Sequence, residues 1–173
     1  ISACLVGSEM CIRDRTMTRA SGEPSAGWID GREHVLPVRI YYEDTDFTGV
    51  VYHGNYLRYF ERGRSDFLRL AGVRHAELLD QETPSAFTIV RMELDFKAPA
   101  RIDDALQVRT TYDRVKGPRL FISQRIVRGE TLIAQAAVLA ACIGLDGRPR
   151  KPPPGMAAAL APYFSADEGS GVA

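Results

Sequence analysis

Between positions 41 and 56 the chain reads YYEDTDFTGVVYHGNY, which concentrates the side chains best suited to chemistry. Asp44 and Asp46 lie two residues apart, and Gly49, Val50, Tyr52, His53, Asn55 and Tyr56 follow as a helical pattern begins. The first amides of a helix have no internal acceptors, and they stand at the positive end of its dipole. A substrate oxygen placed there would be polarised. A carboxylate held opposite could act as nucleophile or as base for water. His53 could orient that water, hold the carboxylate or shuttle a proton. Spacing alone leaves the roles open. Asp46 reads equally well as a turn or capping acid, and His53 as a loop or interface histidine. Gly49 suits a tight path, Asp44 reads as a structural loop acid, and Tyr52 and Tyr56 read as packing residues at the edge of a pocket.

The elements that must position these groups follow from periodicity. Val38, Ile40 and Tyr42 alternate with Arg39, Tyr41 and Glu43, predicting a first strand in a domain that starts near Val35. A helix is predicted over 55–71, where Tyr56, Phe60, Phe67 and Leu70 share a stripe with Gly63. Glycine costs helix stability there but permits close approach to a sheet. Asn55 is the predicted N-cap, Gly72 follows the C-terminus, and Arg62 and Asp66 are spaced to pair on the wet side. A short helical piece is predicted near 76–81.

Strands dominate the remainder. Val90, Met92, Leu94, Phe96 and Ala98 alternate with Arg91, Glu93, Asp95 and Lys97, predicting one buried and one wet face. Leu106, Val108, Thr110 and Tyr112 continue the pattern, strands follow at 120–127 and 131–145, and a short helix is predicted over 156–163. Turns fall at Lys116-Gly117-Pro118, Gly129-Glu130 and Asp146-Gly147. Tight turns demand antiparallel neighbours. The fold class is therefore α+β. An antiparallel sheet with one apolar face needs a cover, and the helix at 55–71 is the long amphipathic element able to provide it.

The 173 residues suit one domain, and 22 basic residues balance 22 acidic ones. That balance gives no bulk electrostatic case for nucleic acid or anionic membranes. No apolar run reaches the roughly 18 residues of a membrane span. Three unclustered cysteines, Cys4, Cys11 and Cys142, argue against a disulfide framework or zinc site and fit a reducing compartment. Cys142 reads as a small core residue. Residues 1–16 read as a non-native leader ahead of Met17, 17–34 as a flexible linker with Trp28 able to dock, 35–164 as the domain, and 165–173 as a disordered tail.

The segment YYEDTDFTGVVYHGNYLRYFERGRSDFLRLAGV, residues 41–73, strongly resembles the 4-hydroxybenzoyl-CoA thioesterase family. Within it the likeness is to the YbgC-type acyl-CoA thioesterases associated with the Tol–Pal system. FKAPARIDD (96–104) and RLFISQRIVRGETLIAQA (119–136) extend the resemblance more weakly, so that it covers roughly two-thirds of the chain. The resemblance implies a hotdog fold, with the sheet wrapped around the central helix. It implies a homodimer or homotetramer with active sites between subunits. It also implies an acyl-CoA substrate, no cofactor or metal, a cytoplasmic location and an association with an envelope complex.

The same resemblance puts the catalytic carboxylate on Asp46 and a catalytic histidine on His53, and turns the amide of residue 53 toward the carbonyl. Gly49, Val50, Tyr52, Asn55 and Tyr56 are then the substrate-binding positions. The chemistry is sound for a thioester, because a thiol of pKa about 8.5 leaves as thiolate without a strong general acid. Glu61 is the rival acid, since a related hotdog branch uses a helix glutamate; beside Arg62 and Arg64 it reads as an ion-pair partner. By family analogy Lys97, Arg101, Arg148 and Lys151 are candidates for the coenzyme's phosphates. Two other functions fit the same fold: a non-catalytic acyl-CoA or acyl-carrier binding protein, and a hydro-lyase that alters the acyl chain with the thioester intact.

Overall fold

The computed structural model describes residues 27–164. Strands β1 (Trp28–Asp30) and β2 (Glu33–Arg39) form a hairpin, followed by a 3-10 turn at Tyr42–Asp44. Helices α1 (His53–Leu70) and α2 (His75–Leu79) come next, then β3 (Ser85–Phe96), β4 (Ala105–Lys116), β5 (Arg119–Arg128) and β6 (Thr131–Gly144). Helix α3 (Pro154–Leu160) and a 3-10 turn at Ala161–Tyr163 close the described chain. The six strands make one antiparallel sheet in the order β1-β2-β4-β5-β6-β3.

The sheet wraps α1, which packs chiefly on β2 and β4. Tyr56, Tyr59, Phe60 and Phe67 turn inward and meet Leu106, Val108 and Tyr112 of β4, Leu120, Ile122 and Ile126 of β5, and Val138 of β6. Gly63 explains how close the helix comes. A Cβ there would lie 2.9 Å from Thr110 Oγ1 and 3.0 Å from Val108 Cγ1. Most buried polar groups are paired. Arg64 donates to Gln124 Oε1 at 2.7 Å, and Gln124 Nε2 donates to Phe60 O and Thr110 Oγ1, each at 2.9 Å.

Several boundaries depart from periodicity. Order begins ahead of Val35: Trp28–Asp30 pairs with β2, so the end of the segment read as linker is strand. The proposed leader, most of the linker and the tail lie outside the described residues. The first strand ends at Arg39, and Tyr42 is 83% exposed in the 3-10 turn rather than on an inward face. Asp66 does not pair with Arg62; it meets His34 at 2.8 Å and Arg69 at 2.6 Å, because the helix rotation turns it toward β2.

The largest difference is β3. Its alternation predicted a buried face, yet Val90 is 58% and Phe96 51% exposed, with Met92 and Leu94 only partly buried. β3 is an edge strand, and a register shift between Ile89 and Arg91 throws Val90 out of the ladder.

Candidate active site

The candidate segment is a small hairpin built onto the sheet's margin. Asp46 N–H donates to Val50 O and Gly49 N–H to Asp46 O, both at 3.0 Å. Gly49 takes φ 74°, the left-handed position that closes a three-residue hairpin loop. Thr45 bridges Val51, and Val50 bridges Arg101. Val51, buried in the core, donates its N–H to Ala100 O at 2.9 Å. The loop carrying Arg101 is itself fixed, since Asp104 accepts from Arg101 N–H at 2.8 Å and from Arg128 at 2.6 Å.

A second set of bonds ties the hairpin to the helix. Asp44 O accepts from Tyr52 N–H at 2.9 Å and from Asn55 Nδ2 at 2.8 Å. Asp44 is the structural acid expected, its carboxylate accepting from Tyr41 N–H at 2.8 Å. Asn55 is not the N-cap. Tyr52 holds that position without a side-chain cap, and Asn55 sits buried in the first turn. The helix starts earlier than periodicity indicated because His53 and Gly54 lie outside the apolar stripe. A Cβ at Gly54 would fall 2.8 Å from the Tyr52 ring, which folds back over the helix start, so that ring would have to move aside.

Within this frame Asp46 Oδ1 accepts two hydrogen bonds from Thr48, one from the hydroxyl at 2.5 Å and one from the amide at 2.8 Å. The Thr48 hydroxyl, then the Thr48 amide, hold the Asp46 carboxyl below its ordinary value, with a smaller contribution from nearby His53. The His53 ring lies against that of Tyr52, tilted by 48°, with centroids 4.4 Å apart. No hydrogen-bond acceptor among the described residues meets the His53 or Gly54 amides. Tyr56 is buried; its hydroxyl accepts from Ala100 N–H at 3.3 Å and its ring stands edge-on to Phe96. Burial pushes its phenol up.

Thus the hairpin brings Asp46, Gly49, Val50, Tyr52 and His53 to the start of α1, while Asn55 and Tyr56 face inward as struts. Thr48 and Gly54 were missed by the sequence reading; a threonine two residues after an aspartate was the available signal for the first. Glu61 accepts from Arg64 and Ser65, the ion-pair role expected of it. Of the basic candidates, Arg101 adjoins the hairpin through its bridge to Val50, and Lys97 pairs with Asp95. Four cavities among the described residues are lined by neither Asp46 nor His53. In a single chain the segment lies at the surface, with Asp46 half-buried and Phe47 wholly exposed.

The chain is similar to known proteins in sequence and in fold. A model of the thioesterase-like superfamily matches residues 40–160. The acyl-CoA thioester hydrolase YbgC of Escherichia coli is 41% identical over 119 residues, covering 68% of this chain and 87% of that protein. The acyl-CoA thioesterase YbgC of Haemophilus influenzae is 40% identical over 110 residues, covering 64% and 80%. A crystal structure described as a probable thioesterase from Bartonella henselae superposes with a TM-score of 0.67 at 41% identity, covering 70% of this chain and 99% of that one. With a sheet that wraps one central helix and a match over most of that domain, the chain belongs to the thioesterase-like superfamily and takes its hotdog fold.

Proposed function

We propose that the protein hydrolyses an acyl-CoA to a free acid and CoA, with Asp46 as its reactive carboxylate. The observation that carries this reading is the pairing of a carboxylate bonded through one oxygen with helix amides that lack acceptors. The acyl carbonyl oxygen would sit against the His53 amide, where hydrogen bonding and the helix dipole stabilise developing negative charge. Asp46 then acts by one of two balanced routes. As nucleophile it adds to the carbonyl carbon, the C–S bond breaks, the thiolate leaves, and water hydrolyses the mixed anhydride to restore the carboxylate. As base it takes a proton from water while that water's oxygen forms the new C–O bond and the thiolate departs.

A site open to solvent would leave the acyl chain wet. A second copy of the chain supplies the missing wall. β3 is a 12-residue edge strand with no partner on its outer side among the described residues, and Ile89, Val90, Phe96 and, on α1, Leu57 are exposed nearby. A long apolar edge favours pairing with another strand. Association along β3 would cover these groups and enclose the start of α1. Gly49, Val50 and Tyr52 line the entry in this reading, and Arg101 is placed to meet a phosphate of the coenzyme.

Mixing the protein with short aliphatic, long aliphatic and aromatic acyl-CoAs and a thiol reagent tests the reaction. Thiol release is expected from at least one class, and Asp46→Asn should lower turnover roughly 100-fold or more with the fold intact. Binding without thiol release would favour the carrier reading. A change in chain saturation with the thioester intact would favour a hydro-lyase. Near-normal turnover in Asp46→Asn would reject the assignment.

A further inference from the structure

We infer that Thr48 is a positioning residue: by holding Oδ1 of Asp46 through both its hydroxyl and its amide, it leaves Oδ2 as the oxygen that acts. This rests on the proposed role of Asp46 and adds to it a choice between that group's two oxygens.

The geometry carries the point. A carboxylate on an exposed loop can rotate about two side-chain bonds, so its two oxygens exchange and its lone pairs point in several directions. Here both donors of one residue converge on the same atom, at 2.5 and 2.8 Å. Two bonds to one oxygen fix both rotations. The other oxygen accepts no hydrogen bond from the described residues and keeps its lone pairs for an acyl carbonyl carbon or for a water. The anchor is local and well supported, since the loop between the two residues is closed by Asp46 N–H on Val50 O and Gly49 N–H on Asp46 O. Phe47, between them, turns wholly outward and does not crowd the pair.

The two bonds do unequal work. The amide bond comes from the backbone and does not need the Thr48 side chain. The hydroxyl bond depends on Thr48 alone and is also the leading cause of the lowered pKa of Asp46. Removing the hydroxyl should therefore loosen the carboxylate and raise its pKa together. A hydroxyl that merely stiffened the loop would do neither at the reacting group. Misplacement of a reacting atom by about 1 Å costs up to about 100-fold in rate; with the amide bond retained, the expected loss is about tenfold.

The experiment compares wild type, Thr48→Val, Thr48→Ala, Thr48→Ser and Asp46→Asn on the acyl-CoA that wild type hydrolyses best. Thermal unfolding is recorded for each variant. Thr48→Val should lower kcat about tenfold while KM changes less than about twofold, as expected when orientation rather than binding is lost. Carbon-detected NMR titration of the Asp46 carboxyl, without substrate, should show its midpoint move upward in Thr48→Val. Thr48→Ser should restore both values. Thr48→Ala is the second hydroxyl-free variant, so a folding failure in one leaves the comparison standing. Wild-type kcat and an unmoved titration in a folded hydroxyl-free variant, alongside an inactive Asp46→Asn, would overturn the role of Thr48 alone. Near-normal turnover in Asp46→Asn would overturn the role of Asp46 and this inference with it.

Discussion

Asp46 and Asp66 are both held below the ordinary carboxylate range, one beside the start of α1 and the other near its end. Asp46 owes its shift to Thr48. At Asp66 burial pushes the pKa up, but hydrogen bonds from His34 and Arg69 outweigh it. Asp66 accepts from Arg69 and pairs with the fully buried His34, joining α1 to β2. A carboxyl whose pKa falls on folding adds stability that is present above its unfolded value and vanishes as pH falls through its folded value. For Asp66 that loss lies below pH 3.8. Asp95 and Asp104 are lowered too and act in the same direction. Asp66→Asn should therefore be less stable than wild type at pH 6, with the gap closing as pH falls below 4. Urea titrations at pH 6 and at pH 3 would show it; an unchanged gap would mean the ionised form contributes nothing.

At the scale of elements, α1 is placed by a missing side chain. Gly63 gives up helix propensity, about 1 kcal/mol against alanine, and in return brings the helix down onto β4. Gly63→Ala would gain that propensity but push its Cβ into Thr110 Oγ1 and Val108 Cγ1. Overpacking costs about 1–3 kcal/mol, so a net loss of about 1 kcal/mol is expected, a fall of about 2–4 °C in Tm. A higher Tm would show that the helix can lift without cost. The first turn of α1 is held to the hairpin separately, by the Asp44 carbonyl that accepts from both Tyr52 and Asn55. Loss of packing at Gly63 should thus reach the site only weakly, through the helix axis.

For the molecule as a whole, the two edges of the sheet differ. β1 is three residues long and offers little to a partner, while β3 presents 12 residues with Val90 and Phe96 exposed. Nature usually blunts a long apolar edge, and pairing it with a second copy is the other remedy. Wild type is expected to run as a dimer or larger assembly in light-scattering chromatography. Val90→Asp should give folded monomer with thiol release lowered at least tenfold, because the open site loses its second wall. A dimeric Val90→Asp with full activity would place the interface elsewhere. No helix among the described residues is long and apolar enough to cross a membrane.

The sequence by itself determined what depends on local pattern. Leu106, Val108, Thr110 and Tyr112 alternate and are all buried. Turns at Gly117, Gly129 and Gly147 fall where predicted, each with positive φ. The left-handed turn at Gly49 was legible for the same reason, whereas spacing alone left Asp46 open between a turn acid and a reactive one, and only the family resemblance favoured the second. Tertiary structure decided what depends on a distant partner. The alternation of β3 was read correctly as strand, but its burial was not, since only sheet order reveals an edge and no pattern announces a bulge at Val90. Asp66 chose His34 over Arg62 because helix rotation against β2 is set by the whole core. The start of α1 at His53, ahead of Asn55, followed from the carbonyl of Asp44 capturing both Tyr52 and Asn55, a contact between segments that periodicity cannot contain.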